Sequence, residues 1–110
     1  MAHVVLKIVP ASLWEEAEVS GTFKGASIDL ADGFIHLSTP EQAPETANLY
    51  FKGQTGLLLI GFDGDALGDK LVYEQSRNGA LFPHYYGYLP VSSMISKRSM
   101  SIGPDGNFIF

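Results

Sequence analysis

The chain is 110 residues long, contains no cysteine and carries a formal net charge of −5, from 7 Lys+Arg against 12 Asp+Glu. That length suits a single domain, 1–110, whose one core buries roughly 65 % of the surface the unfolded chain exposes. A hydrophobic share of 45 % beside a charged share of 17 % excludes wholesale disorder. The lack of cysteine excludes a disulfide framework, a thiolate zinc site and a cysteine nucleophile.

Residues 1–10, MAHVVLKIVP, hold a β-branched run closed by Pro10, without the basic leader or small-residue cleavage site of an export signal. They are expected as an opening strand buried on both faces. Ser12 and Glu15 form a capping-box pattern, Leu13, Trp14 and Ala17 share an apolar stripe, and Gly21 suits the C′ position, which predicts a short helix. Residues 22–33 are polar, punctuated by Gly25, Asp29, Asp32 and Gly33, and read as an irregular connection.

Residues 34–38, FIHLS, alternate as a strand, with Phe34, His36 and Ser38 on one face and Ile35 and Leu37 on the other. Thr39 and Gln42 frame a second capping box with Pro40 at the first helical position, and Gly53 closes the segment about four turns later. Residues 57–62, LLLIGF, read as a buried central strand, residues 63–69 as an Asp/Gly loop and residues 71–75 as a further strand. Residues 77–90 carry Asn78-Gly79, Pro83 and Pro90 among Phe82, His84, Tyr85, Tyr86 and Tyr88, a stretch too broken for a helix and read as irregular. The runs 94–102 and 107–110 flank Gly103-Pro104-Asp105-Gly106 and predict a terminal hairpin. With two helices in the first half and most strands in the second, the fold class is α+β. No apolar run approaches the ~20 residues of a membrane span.

Chemistry near neutral pH falls first to histidine, and the chain has His3, His36 and His84. His36 and Ser38 stand where a strand feeds a helix N-terminus, a place where anionic or hydroxyl-rich ligands dock. A structural imidazole bonded to a backbone carbonyl is the competing reading. His84 lies in Phe82-Pro83-His84-Tyr85-Tyr86-Gly87, where aromatics either stack on a planar ligand or plug one end of the core. Glu74 sits in an apolar strand, where burial would raise its pKa, or else faces solvent at the strand edge. Arg77 and Asn78 follow at once, as a phosphate or carboxylate partner or as a solvated turn. Scattered basic residues disfavour duplex nucleic acid, and the histidine spacing gives no metal motif. Nucleophile-elbow and phosphate-loop motifs are absent, which excludes ordinary serine hydrolases, nucleotide triphosphatases and Rossmann enzymes.

Trp14 with Ala17, the run Asp32-Gly33-Phe34-Ile35-His36-Leu37-Ser38-Thr39, the pair Thr46-Ala47, the Leu-rich strand through Asp63, and Phe82-Pro83-His84-Tyr85-Tyr86-Gly87 with Leu89-Pro90 look like the small bacterial domain-of-unknown-function family nine-five-two. More distantly, His36-Leu37-Ser38, Thr46-Ala47, Asp63, Tyr73 and the Asn78-Gly79 turn resemble the catalytic half of RNA 2′-phosphotransferases, members of the ADP-ribosyltransferase-like superfamily. That resemblance implies a bent, split, mostly antiparallel sheet with NAD in the cleft between its halves and with His36 and Ser38 at the cleft. The chain departs from those transferases in two places. Leu6-Lys7-Ile8 stands where they carry a ribose-gripping His-Gly pattern, and only Arg77 remains of their basic RNA-binding groups.

The expectation is a domain that binds NAD or a related nucleotide through His36, Ser38, Thr39, Arg77, Asn78, Phe82, Tyr85 and Tyr86. In this reading His36, Glu74 and His84 are the catalytic candidates, with Glu74 stabilising charge on the ribose and Tyr85 or Tyr86 stacking on nicotinamide. The alternative is a small-ligand or protein-binding module that has lost the chemistry. Either is expected in the cytoplasm, away from membranes and without a metal.

Overall fold

The computed structural model describes residues 3–110, so the first two residues of the expected opening strand lie outside the described part. Strand β1 (Val4–Pro10) forms from the β-branched run and lies antiparallel to β4 (Leu57–Asp63), from Val4 opposite Asp63 to Pro10 opposite Leu57. Strand β8 (Met94–Ser99) covers the other edge of β4, with a bulge between Gly61 and Phe62. A second three-stranded sheet has the order β3 (Ile35–His36), β6 (Leu81–Tyr85), β5 (Leu71–Gln75), again antiparallel throughout. The pair β2 (Thr22–Phe23) and β7 (Leu89–Pro90) makes a short third ladder.

The two larger sheets meet at one point. The Leu6 N–H donates to the Ser38 carbonyl at 2.7 Å and the Ser38 N–H to the Leu6 carbonyl at 2.9 Å. Beyond that bridge β1 and β3 part, and the gap between them becomes the cleft. An α+β chain with antiparallel sheets and short helices is thus observed, as the sequence pattern predicts.

Period-two alternation sorts the core. Val5 and Val9 of β1 join Ile60 and Phe62 of β4 in one apolar cluster, which helix α1 (Ala11–Ser20) closes with Trp14 and Ala17. Ile8, Leu57 and Leu59 turn the other way and meet Ala47 and Phe108 in a second cluster. Lys7 shares the face of Val5 and Val9 and is only 6 % exposed, an ammonium inside the main core.

Several elements differ from expectation. Helix α1 begins at Ala11 with Pro10 at its N-cap, and no side chain caps it. The Ser12–Glu15 box is not used, because Ala11 N–H already bonds the Gly56 carbonyl at 2.8 Å and the turn is made one residue earlier. The stretch read as irregular at 22–33 holds β2 and helix α2 (Ser27–Asp32), whose Ile28 and Leu30 are exposed. No apolar stripe announces such a helix. Residues 63–69 hold helix α4 (Gly64–Leu67), capped by the Asp63 carboxylate accepting from Asp65 N–H at 3.1 Å.

The larger surprise is β6, central to its sheet despite Pro83. Within a strand the N–H and C=O of one residue point to the same side. The Pro83 carbonyl accepts from Leu37 N–H at 3.0 Å, so the missing N–H falls on the β3 side, past that strand's two-residue ladder. The terminal hairpin survives as one bridge, Ile102 to Phe108, while Met94–Ser99 pairs with β4 instead. The two hydrogen bonds of the second box form, Thr39 N–H to Gln42 Oε1 at 3.0 Å and Gln42 N–H to Thr39 Oγ1 at 3.3 Å, but they close a turn through Pro40. Helix α3 (Ala43–Tyr50) starts after it, without a side-chain cap, and is shorter than the expected four turns. Among the described residues no helix is long and apolar enough to cross a membrane.

Trp14 is fully buried with ring centroids 5.8 Å from both Phe23 and Phe62, so Trp14→Ala should cost about 3–5 kcal/mol in urea unfolding followed by circular dichroism. Its Nε1–H has no hydrogen-bond partner, so Trp14→Phe should cost clearly less.

Candidate functional site

His36 and His84 lie directly opposite one another on β3 and β6, which sends both imidazoles to the same face of the sheet, ring centroids 5.6 Å apart. Helix α2 delivers the groups that hold the first of them. Gly33 ends it in the left-handed region (φ 83°) and donates to the Asp29 carbonyl at 2.9 Å, so the chain doubles back and β3 passes the helix it has just left. Asp29, 2 % exposed, is thereby surrounded by donors.

Asp29 accepts from Ala26 N–H at 2.8 Å, from His36 N–H at 2.9 Å and from His36 Nδ1 at 2.7 Å. Lys7 Nζ reaches both carboxylate oxygens, at 3.1 and 3.0 Å, and gives its remaining bond to the His36 carbonyl at 3.0 Å. Burial would raise the Asp29 carboxyl, but the His36 ring, the Lys7 ammonium and the two backbone donors outweigh it and hold it down at about 2. Burial pushes Lys7 below its usual value, while the charge and hydrogen bond of Asp29 pull it back up. A Cβ on Gly25, itself at φ 118°, would fall 2.9 Å from the Asp29 Cβ, so glycine there leaves room for the carboxylate. The second nitrogen of His36, Nε2, lies 2.9 Å from Asp32.

His84 is 5 % exposed, with Phe34 stacked on it at 4.1 Å. Its Nδ1 is 2.8 Å from Glu74 Oε1, and the Tyr86 hydroxyl donates to the same oxygen at 2.6 Å. Those two hydrogen bonds, Tyr86 first, hold the Glu74 carboxyl below its usual value, and the carboxylate in turn raises the Tyr86 phenol. The condition on which Glu74 would titrate high is not met: the side chain stands 40 % exposed on the edge strand β5, paired rather than buried.

Both histidines line one cavity of about 620 Å³ in the gap between β1 and β3. Ser38, Thr46 and Arg77 add to its polar wall, which Lys7 and Asp32 also line, with the rings of Tyr50, Phe51 and Phe82 beside them. Ser38 Oγ donates to Thr46 Oγ1 at 3.3 Å, as does Arg77 Nη2, also at 3.3 Å. Arg77 Nε meets Glu45 at 3.2 Å, and the guanidinium lies 4.9 Å from the Phe82 ring and 5.6 Å from that of Tyr50. Among the described residues no three His, Asp or Glu side chains converge to hold a metal ion.

Five expected site residues lie off this wall. Tyr85 turns to the opposite face and is part of the main apolar cluster. Tyr86 and Glu74 bind each other beyond the cavity lining. Thr39 serves the turn before α3, and Asn78 is an exposed residue in the left-handed region (φ 59°) of the turn Arg77–Gly79. Lys7, Asp29, Tyr50 and Phe51 were not anticipated. The available signal for Lys7 was a lysine inside a run of core residues, which demands a buried counter-ion.

The chain matches the family model for the protein of unknown function DUF952 over residues 8–97. It belongs to the DUF952 family. The crystal structure of protein CC0527 from Caulobacter crescentus is 42 % identical and superposes with a TM-score of 0.92, covering 96 % of this chain and 93 % of that one. The solution NMR structure of CC0527 matches at 43 % identity and a TM-score of 0.85, covering 94 % and 90 %. No curated protein matches this DUF952 chain.

Removing either partner of the buried ion pair leaves the other charged in the core, so Lys7→Met or Asp29→Asn should each cost about 3–5 kcal/mol in urea unfolding. A Lys7→Met, Asp29→Asn double variant should cost less than their sum. Asp29 also sets an acid limit. Its folded value of about 2 lies below the ordinary 3.8, so its contribution is complete above about pH 4 and is lost as pH falls through 2. Acid titration of stability should show a loss on the order of 2 kcal/mol over that window, absent in Asp29→Asn.

Proposed function

We propose that this protein is a divergent ADP-ribosyltransferase-like domain that binds NAD or a related nucleotide in the cleft between its two sheets. The observation that carries this reading is the convergence of His36, His84, Ser38 and Arg77 on one cavity of about 620 Å³. A small-molecule site typically measures about 300–1,000 Å³ and combines apolar walls with a few placed polar groups. Arg77 Nη1 has no partner among the described residues, which leaves guanidinium hydrogens for phosphate oxygens. Phe82, Tyr50 and Phe51 offer faces for a planar base or nicotinamide ring, the role sequence reasoning gave to Tyr85 and Tyr86. The split antiparallel sheet, bridged at Leu6 and Ser38, suits the same reading. We place the protein in the cytoplasm, where such nucleotides are plentiful.

A second reading, a binding module without chemistry, is favoured by Glu74. Its carboxylate lies off the cavity wall and is already engaged by His84 and Tyr86, so it does not face a ribose held in the cleft.

Thermal unfolding with excess NAD, ADP-ribose or nicotinamide tests the binding. A ligand at about 100 times its Kd adds ~2.7 kcal/mol, a midpoint rise on the order of 10 °C for a domain this small. Arg77→Gln should remove most of the rise with NAD and ADP-ribose, and no rise with any adenine nucleotide would overturn the proposal. Nicotinamide release followed over hours, in the parent and in Glu74→Gln, then separates the two readings: release that depends on Glu74 marks an enzyme, and none at all marks a binder.

A further inference from the structure

The two imidazoles of the cleft are not equivalent, because only one has a ring nitrogen to spare. His36 has Nδ1 at 2.7 Å from Asp29 and Nε2 at 2.9 Å from Asp32, so each nitrogen faces a carboxylate. His84 has Nδ1 at 2.8 Å from Glu74, and among the described residues its Nε2 has no partner. An ionised carboxylate accepts hydrogen bonds and donates none, so the hydrogen lies on Nδ1 and the neutral ring presents its lone pair at Nε2. Nor is that nitrogen sealed in: the described side-chain atoms that are buried without a partner are Trp14 Nε1 and Asn48 Oδ1.

The surroundings hold this arrangement in place. Tyr86 donates to the Glu74 oxygen that faces His84, at 2.6 Å, which favours the carboxylate over the acid. Phe34 stacks on the His84 ring at 4.1 Å and 26°, which fixes its plane, and the side chain is only 6 % exposed. The titratable groups that face the ring are Glu74 from β5, Tyr86 beyond β6 and His36 from β3, while Lys7, Asp32 and Arg77 share the cavity wall.

We propose that His84 Nε2 is the proton acceptor of the cleft, that Glu74 and Tyr86 are its positioning residues, and that it receives a hydroxyl group of the ligand, a ribose hydroxyl if the ligand is a nucleotide. The identity of that hydroxyl rests on the nucleotide reading; the orientation of the ring does not. His36, with both nitrogens held, is the fixed wall against which the ligand is placed.

Nitrogen-15 ring correlations on the intact protein at pH 8 test this directly, with His84 assigned by the signals lost in His84→Gln. The expected His84 pattern is the Nδ1-protonated tautomer with an unprotonated Nε2. Glu74→Ala should shift the ring towards the Nε2-protonated form, and Glu74→Gln, whose amide oxygen still accepts from Nδ1, should keep the parent pattern. A proton on Nε2 in the parent, or a pattern indifferent to Glu74→Ala, overturns the proposal. Saturating ADP-ribose should move the Nε2 resonance upfield as it accepts a hydroxyl. If ADP-ribose raises the unfolding midpoint without moving Nε2, the acceptor role is wrong. If it does neither, the nucleotide reading fails, and the acceptor role stands or falls on the tautomer result alone.

Discussion

A lysine in the middle of a core strand is the constraint from which the rest of the site follows. An isolated ammonium in an apolar interior costs several kcal/mol even after relaxation, so a buried Lys7 requires a counter-charge and a full set of acceptors. Strand β1 has neither. Asp29 comes from a six-residue helix that has little apolar reason to pack where it does, and the third acceptor is the backbone of His36. One ion pair therefore ties β1, α2 and β3 together. The same carboxylate then takes the His36 ring, so the group that stabilises the core also aims an imidazole.

The split between the sheets has a related origin. A strand can pair on both edges, and β1 uses one edge fully against β4 but only Leu6 on the other. With Lys7 reaching across to Asp29 and the His36 carbonyl, side-chain bonds replace the next rungs of the ladder. The backbones diverge around that replacement, and the space they leave is the cavity. Sheet pairing on the far side completes it, since the His36–His84 register on β3 and β6 brings the second imidazole to the same wall.

What could be read from the sequence was local. Alternation in residues 34–38 set His36 and Phe34 on one face, and their rings are 4.6 Å apart. The Thr39–Gln42 box spans four residues, and both of its hydrogen bonds form. What escaped depended on distant partners. Asp29 looked like loop punctuation because its meaning lies 22 residues away at Lys7. The strand through Pro83 is hidden in a stretch that reads as irregular, because nothing in its neighbours says on which side the missing N–H will fall. Tyr85 closes β6 on the face opposite His84 and joins the core, while Tyr86 follows the strand and is held by Glu74, so a loop reading of 77–90 cannot tell the two tyrosines apart.

Charge shows the same separation of local from global. The net −5 belongs to the whole chain, and much of it lies on exposed residues such as Glu15, Glu16 and Glu41. A long polyanion meets that surface everywhere and is repelled, whereas a small anion inside the cleft is screened from charges more than about 8 Å away through solvent. On the cavity wall Lys7 and Arg77 stand against Asp32 alone. Lys7 is neutralised by Asp29 and Asp32 is turned to His36, which leaves Arg77, paired only at one edge with Glu45, as the charge an entering ligand would meet. An acidic protein with a cationic cleft is consistent on these terms, and the acidity that argues against duplex nucleic acid carries no weight against the proposed dinucleotide.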